Sequence, residues 1–393
     1  MTAPRITYPS LDAQMVGIRP RSDRVMHIMR GLADDKGMRF ISQVGIDLRP
    51  APIANGLLEA AAHSAQKKVP GALGRAVKRA FLRGQYNWSV RRFPPDPSLV
   101  VAVWNGLKGH RLLAVEAARA NGHATLFLEE APLPGRITVD FMGVNAASST
   151  PRIPEFYHRW TAKNPDVSVS DWRSIRSDLK PRIAAKRSDV HQRSGGSDLK
   201  NGPYIFCPLQ VPGDSQITVF GDWIKSVDTM IEHLAVASAA LPEGWHLRIK
   251  EHPSAEVSFS DRIAQIAGQR VILDNTTNTL DQIENAQAVL TVNSSVGFES
   301  IFFDKPVIVL GKAFYDLEGV AIKTTSCNHL ARMLSRPDQF RFDARLRDSF
   351  MSYITSIQFP IEADVVAGKT TLNEIIARDL ARDAILVELG QLE

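Results

Sequence analysis

Cysteine is nearly absent: Cys207 and Cys327 are the only two in 393 residues. That excludes a secreted scaffold stapled by disulfides and fits a reducing compartment. Long apolar runs are missing too. No stretch reaches the ~18–20 apolar residues of a membrane-crossing helix. Met1-Thr2-Ala3-Pro4-Arg5 leads into no apolar segment, so no signal peptide is expected. The sequence has no His-x-x-x-His pair with an acid, no cysteine cluster and no convincing Asp-x-Asp, so a metal site is not expected. It lacks a Walker loop, a Gly-x-Gly-x-x-Gly and a Gly-x-Ser-x-Gly elbow. Charge of one sign is in small excess only. The 47 basic and 42 acidic residues give +5 and a pI near 9.2. This favours anionic ligands or an anionic membrane face. It is too mild for nucleic acid, and no stacking-aromatic motif or zinc spacing supports that partner.

What is present is ordinary for a soluble globular protein: 44% hydrophobic and 23% charged residues. At roughly 150 residues per domain the length suggests two to three domains. From Gly202 onward, short apolar runs alternate with helical periodicity. Strands are predicted over Tyr204–Pro208, His246–Lys250, Val271–Leu273, 288–292 and 306–310. Helices are predicted over 222–240, 259–267, Thr279–Asn285 and 296–303. Such alternation implies βαβ units and a parallel sheet, and continuous apolar strands imply two covered faces. The first half repeats the theme once clearly, with a strand at Leu99–Trp104, a helix at 111–120 and a strand at 124–128. Residues 38–44 read as a strand and 56–82 as helical, broken at Pro70-Gly71. The basic stretch 173–200, with Lys186-Arg187-Ser188-Asp189 and Ser194-Gly195-Gly196-Ser197, reads as an exposed interdomain linker. Residues 371–389 read as an amphipathic helix.

Open parallel sheets bind ligands beyond the carboxyl ends of their strands. Four polar clusters fall there. Asn293-Ser294-Ser295-Val296-Gly297-Phe298-Glu299 runs from a strand through a hydroxyl-rich turn into a helix, whose first N–H groups suit a phosphate. Gly297 is expected to permit close backbone approach. The bland alternative is a serine N-cap. Lys250-Glu251-His252-Pro253 places a lysine and a histidine two apart, equally an anion clamp or a surface lysine beside a turn histidine. Asp214, among Gln210, Pro212-Gly213, Ser215 and Gln216, alone reads as an Asp bonding its own turn. Glu129-Glu130 are adjacent acids ending a buried strand. A basic-aromatic segment over residues 67–93 suits either anionic headgroups or a solvated helix face.

Together, Glu129…Leu133-Pro134-Gly135…Asp140…Gly143-Val144-Asn145, then Gln210…Asp214-Ser215-Gln216, then Lys250-Glu251-His252-Pro253, then Asn293–Glu299 with Lys305-Pro306-Val307 and Gly311…Ala313-Phe314-Tyr315, resemble the capsule polysaccharide biosynthesis family, which contains bacterial β-Kdo glycosyltransferases. The resemblance covers residues 100–320. It implies an α/β fold of GT-B type, two Rossmann-like domains facing a central cleft. The domains are expected at 1–195 on the acceptor side and 196–345 on the nucleotide-sugar side. Residues 346–393 are expected as helices packing back across them. The implied activity is retaining transfer of Kdo from CMP-Kdo to a lipid-linked or saccharide acceptor, without cofactor or metal. By motif, Asp214 resembles the nucleophile and Glu129 the acid/base. Ala131-Pro132 stands where many members have Gly-Phe, which leaves Glu130 as a rival. Lys250, His252, Pro253 and the turn of Asn293, Ser294, Ser295 and Gly297 resemble the site for the CMP phosphate and Kdo carboxylate, beside Gln210, Ser215 and Gln216. Glu299 is expected to face the ribose or base. The implied setting is cytoplasmic, peripheral at the inner face of the inner membrane. The alternatives are a GT-B enzyme using another nucleotide sugar and a non-catalytic membrane-associated assembly factor.

Overall fold

The computed structural model describes residues 6–33, 37–42, 44–65, 69–96, 98–168, 171–181, 186–194, 199, 202–266 and 270–392. Lys67, Gly195-Gly196-Ser197, Lys200, Ala267 and the expected boundary at 195/196 lie outside them. The chain divides into two compact units, Met1–Thr150 with Ser356–Glu393, and Pro151–Thr355.

The first unit holds five strands: β1 (Gln14–Ile18), β2 (Met38–Ile41), β3 (Leu99–Trp104), β4 (Ala124–Glu130) and β5 (Ile137–Asp140). Their order is β2-β1-β3-β4-β5, parallel except for β5 against β4. Strand alternation sorts the apolar residues onto two faces. Val100, Ala102, Leu126 and Leu128 meet Val25, Ile28, Met29 and Leu32 of the helix Asp23–Leu32, and Ile375 and Ile376 near the C-terminus. Val101, Val103 and Phe127 meet Ala114, Val115 and Ala118 of the helix Gly109–Ala120. Both faces are covered, so β3 reads as one unbroken apolar run.

The C-terminal helix, Leu372–Glu388, opens on a capping box between Thr371 and Glu374. Its Arg378 donates to the Val139 carbonyl at 2.7 Å, and Arg382 to Tyr8 Oη at 2.9 Å. It therefore completes the first unit. Residues 346–393 do not act as one block, because the helix Ala344–Tyr353 belongs to the second unit. There Phe350 and Tyr353 pack edge-on against Phe156, Tyr157 and Trp160 of the helix Pro154–Lys163.

The second unit has six strands: β6 (Tyr204–Pro208), β7 (His246–Lys250), β8 (Val271–Leu273), β9 (Ala288–Thr291), β10 (Val307–Val309) and β11 (Ile322–Lys323). The order β11-β10-β9-β6-β7-β8 is parallel throughout. Ile205, Cys207, Leu247, Ile249 and Leu290 bury against Met230, Ile231 and Leu234 of the helix Val227–Ser238. Tyr204, Phe206 and Val289 bury against Ile283 on the other face. The chain leaves β6 outward through β7 and β8, then returns to β9 on the other side. A topological switch point therefore lies between β6 and β9, where open α/β sheets take ligands. Both units are Rossmann-like, and the expected α/β class holds.

The described part of 173–200 is largely exposed, as expected, but it is not an interdomain linker: it lies within the second unit. Just before it, Trp172 is buried on Phe302, ring to ring at 5.6 Å. Arg187 is buried and donates to Glu251 at 2.9 Å, and Arg193 bridges to Thr277. Arg173, Arg176, Lys186 and Arg187 are ion-paired on the second unit, a state that composition does not distinguish from solvation. The segment 56–82 also differs. A helix at Leu57–Ser64 is followed by one at Ala72–Arg92, which runs ten residues past the expected end.

Candidate active site

The switch point of the second unit is built by three loops. After β6, Gln210 turns inward. After β9, Asn293 does the same, and the two exchange bonds. Gln210 Nε2 donates to Asn293 Oδ1 at 3.0 Å, and the Asn293 backbone N–H donates to Gln210 Oε1 at 3.3 Å. Asn293 Nδ2 also faces the carbonyls of Gln216 at 2.6 Å, Phe220 at 3.1 Å and Lys312 at 3.1 Å. Both side chains are buried, so they clamp the loops that follow β6, β9 and β10.

On this clamp sits Asp214. Its Oδ1 accepts from the Gln216 backbone N–H at 3.1 Å and from Ser215 Oγ at 3.1 Å, capping the short helix Ser215–Thr218. The turn reading is therefore correct as local structure. Oδ2 accepts no hydrogen bond from the described residues, which leaves one carboxylate oxygen held and the other presented.

Across the switch, Ser294 Oγ caps the helix Ser295–Glu299 by accepting from Val296 N–H at 3.2 Å. Ser295 and Glu299 are half-buried. The glycine between them has a reason internal to the fold. A Cβ on Gly297 would lie 2.5 Å from Tyr315 Oη and 2.8 Å from Thr291 Cγ2. Tyr315 uses that space to donate to the Ser294 carbonyl at 2.6 Å. The expected close backbone approach is thus made by Tyr315.

The third loop follows β7. Lys250 is buried, and its Nζ donates to the carbonyls of His191 at 2.8 Å and Thr277 at 2.7 Å. Burial pulls its pKa down to about 8, Arg248 adding to the fall and Asp274 opposing it. Lys250 is thus a tie between loops, whereas the expectation had it reaching for an anion. His252 behaves differently. Its Nδ1 accepts from Ser254 N–H at 3.0 Å, which assigns the proton of the neutral ring to Nε2. Pro253 behind it is buried. Glu251, passed over by the sequence reading, fixes this loop. It accepts from Phe259 N–H, from Asn275 Nδ2 at 2.6 Å, from Ser260 Oγ at 2.9 Å and from Arg187. Burial would raise its pKa, but these bonds outweigh burial and lower it.

In the first unit β4 extends to Glu130, two residues beyond the expected end, so Glu129 and Glu130 point to opposite faces. Glu130 is exposed and paired with Arg24 at 2.8 Å, and the same guanidinium holds Glu362. Glu129 is half-buried and accepts from Asn105 Nδ2. Asn105 ends β3 in the left-handed region, φ 67°, and its Oδ1 caps Leu107 N–H at 3.2 Å. The charge of Glu129 acts on Arg111, at the start of the helix Gly109–Ala120. Burial, then the charges of Arg111 and Arg21, lowers the His110 pKa. Asn105, His110 and Arg111 were not singled out from the sequence, where Asn105-Gly106 reads only as a turn.

Among the described residues no group of three or more His, Cys, Asp or Glu side chains is set to hold a metal ion. Among the same residues no helix is long and apolar enough to cross a membrane.

Comparison with known proteins then bears on the resemblance. The family model described as capsule polysaccharide biosynthesis protein matches residues 181–360. The family resemblance holds over that stretch. Protein FixF of Sinorhizobium fredii is 29% identical over 294 residues, covering 75% of this chain and 66% of FixF. The chain therefore spans just under two thirds of that relative's length. Capsule polysaccharide export protein KpsS of Escherichia coli is 26% identical over 284 residues, covering 60% of this chain and 72% of that protein. Among solved structures, the β-Kdo 2,4 transferase of Thermosulfurimonas dismutans KpsC overlaps 90% of this chain and 97% of its own, at 16% identity and a TM-score of 0.47. The capsule-family match contains Gln210, Asp214, Lys250, His252, Asn293 and Glu299, and leaves out Glu129 and Glu130.

Proposed function

We infer that this protein is a retaining glycosyltransferase of capsule or related surface-polysaccharide assembly, moving Kdo from CMP-Kdo to a saccharide or lipid-linked acceptor. The observation that carries the reading is the capsule-family match over residues 181–360. That stretch contains the β6–β9 switch point with Asp214 and the Ser294-Ser295 turn at its mouth. Two Rossmann-like units are what GT-B enzymes are built from, which supports the same class.

In this reading CMP-Kdo lies at the switch point of the second unit. The Ser294-Ser295 turn and protonated Nε2 of His252 meet its anionic groups, and Glu299 meets the ribose or base. Gln210, Lys250 and Asn293 act one step back, as the clamp and tie that fix these loops, and Ser215 and Gln216 orient Asp214. The free oxygen of Asp214 attacks the anomeric carbon of Kdo as the bond to CMP breaks, CMP leaving with the electron pair. The acceptor hydroxyl then displaces Asp214, restoring the carboxylate, and its proton passes to Glu129. Two inversions give retention. We assign the proton transfer to Glu129 over Glu130, because Glu130 is already engaged by Arg24, which also holds Glu362, while Asn105 orients Glu129. CMP is a good leaving group, so the proposed chemistry invokes no metal. The proposed setting is the cytoplasm, with peripheral attachment to the inner face of the inner membrane.

The test is transfer from CMP-Kdo with Asp214→Asn and Glu129→Gln, followed by mass spectrometry of product and intact protein. Each variant should lose transfer and keep CMP binding. Wild-type transfer by Asp214→Asn would exclude the covalent route.

A further inference from the structure

The helix Ala72–Arg92 carries Arg75, Lys78, Arg79, Arg83, Arg91 and Arg92, and not one acidic residue in its 21 positions. Its N-terminal half pairs Arg79 with Glu59 of the helix Leu57–Ser64 at 3.4 Å and leaves another face outward. Leu73, Val77 and Phe81, spaced four apart, share one face, and they are 79%, 61% and 49% exposed. Farther along the same face the helix is covered. Ile46 fills the space beside Gly84, and Trp88 that beside Gly45. The covering loop is rigidly held. Asp47 N–H donates to the Gly84 carbonyl at 3.0 Å, Asn87 Nδ2 to the Asp47 carbonyl at 3.0 Å, and Arg91 to the Arg49 carbonyl at 3.0 Å. This anchored loop turns Leu48 outward, 88% exposed, with Ile46 half exposed.

An isolated exposed leucine needs no explanation, but five large apolar side chains on one ordered helix-and-loop element do. A basic helix with Leu, Val and Phe outward suits an interface between water and anionic lipid. An acidic protein partner would meet the same cations. It would not call for side chains as long and bare as Leu48 and Leu73 at the tips of the element. We propose that the exposed face of Ala72–Arg92, with Leu48, docks this protein on an anionic bilayer surface. Leu73, Val77, Phe81 and Leu48 enter the acyl boundary, and Arg75 meets phosphate headgroups, joined by Arg79 where a phosphate replaces its exposed ion pair with Glu59. The proposal deepens the peripheral attachment named above and rests on that part of the reading alone.

The experiment is co-sedimentation of the full chain with mixed phosphatidylethanolamine–phosphatidylglycerol vesicles, and with phosphatidylcholine vesicles. The wild type should bind the first and bind the second poorly, and salt should weaken the binding. Leu73→Glu with Phe81→Glu should lower partitioning roughly tenfold or more. Circular dichroism checks the fold of that variant. Arg75→Gln with Arg79→Gln provides a second arm that leaves the apolar residues untouched, and it should flatten the salt dependence. Indifference of the wild type to anionic vesicles would overturn the proposal, as would wild-type binding by a folded Leu73→Glu, Phe81→Glu variant. A wild-type dimer on gel filtration that this variant dissolves, without vesicle binding, would assign the face to a second copy. Nucleotide binding is measured separately. A CMP response without vesicle binding sinks this surface only, and vesicle binding without a nucleotide response sinks the transferase reading only.

Discussion

Replacing Asn293 by Ala should cost far more than a loop residue ordinarily does. The amide has two N–H groups and faces three carbonyls, at 2.6, 3.1 and 3.1 Å, while its oxygen takes Gln210 Nε2 at 3.0 Å. At most two of the three carbonyls are well served at once, so truncation removes about three bonds. At ~1–1.5 kcal/mol each, with buried partners left unpaired, the loss is ~3–4 kcal/mol. Gln210→Ala removes two bonds to the same residue and should cost ~2 kcal/mol. Because the Gln210 Nε2–Asn293 Oδ1 bond is lost in both single variants, the double variant should cost about one bond, ~1–1.5 kcal/mol, less than the two single losses together. Asn293→Asp should be worse than Ala, because it sets a buried carboxylate against three carbonyl oxygens. The assay is urea unfolding followed by tryptophan fluorescence and circular dichroism, each transition fitted separately because two units need not unfold together. A loss below ~0.5 kcal/mol for Asn293→Ala, or strict additivity with Gln210→Ala, would refute the clamp.

Three more outcomes are expected. Gly297→Ala should lower stability by ~1–3 kcal/mol, and Tyr315→Phe in the same chain should recover part of that, because Tyr315 Oη occupies the space a Cβ needs; a penalty unchanged in the Phe background contradicts this. Lys250 sits at about pKa 8 in the fold and near 10.4 when unfolded. Between these values the unfolded chain binds more protons, so wild-type stability should rise with pH relative to Lys250→Met, by on the order of 3 kcal/mol across the window; a flat difference from pH 7 to 10.5 rejects it. Asn105→Ala should reduce kcat for transfer ~10–100-fold with CMP affinity unchanged, whereas Glu130→Gln should stay within a few-fold of wild type; the reverse pattern would move the proton transfer to Glu130.

The second unit was largely legible in the sequence. Tyr204–Pro208, His246–Lys250 and Val271–Leu273 are strands as predicted: the first is near-continuously apolar because both its faces are covered, the second alternates Leu247 and Ile249 with buried polar residues, and the third is a short edge strand led by two β-branched residues. The first unit was less legible. β1 is five residues interrupted by Gly17, whose missing Cβ admits Met38 and Phe40, and a glycine erases strand signal. The helix Ala72–Arg92 was cut short at Leu82 because Gln85, Asn87 and Ser89 break its apolar period. They are buried, and Asn87 is polar because the irregular loop beside it needs partners for its backbone. Periodicity also says nothing about which core a helix joins, so the return of Leu372–Glu388 to the first unit was invisible.

At the site, the sequence located the loops but not who does what within them. Lys250 and His252 lie two apart, yet one is sealed beneath the loop and the other lies at its turn. Asn105 and Glu251 escaped notice because a turn asparagine and a lone glutamate carry no pattern until the fold supplies their partners.

The identity of the nucleotide decides most directly whether CMP-Kdo is the donor. The purified chain is melted with CMP, CDP, UDP, UMP, GDP and ADP in turn. CMP should stabilise the chain over the uridine, guanosine and adenosine nucleotides, by ~2.7 kcal/mol at about a hundred times the Kd. A uridine-selective response would contradict the CMP-Kdo assignment and leave the two-unit fold as it stands.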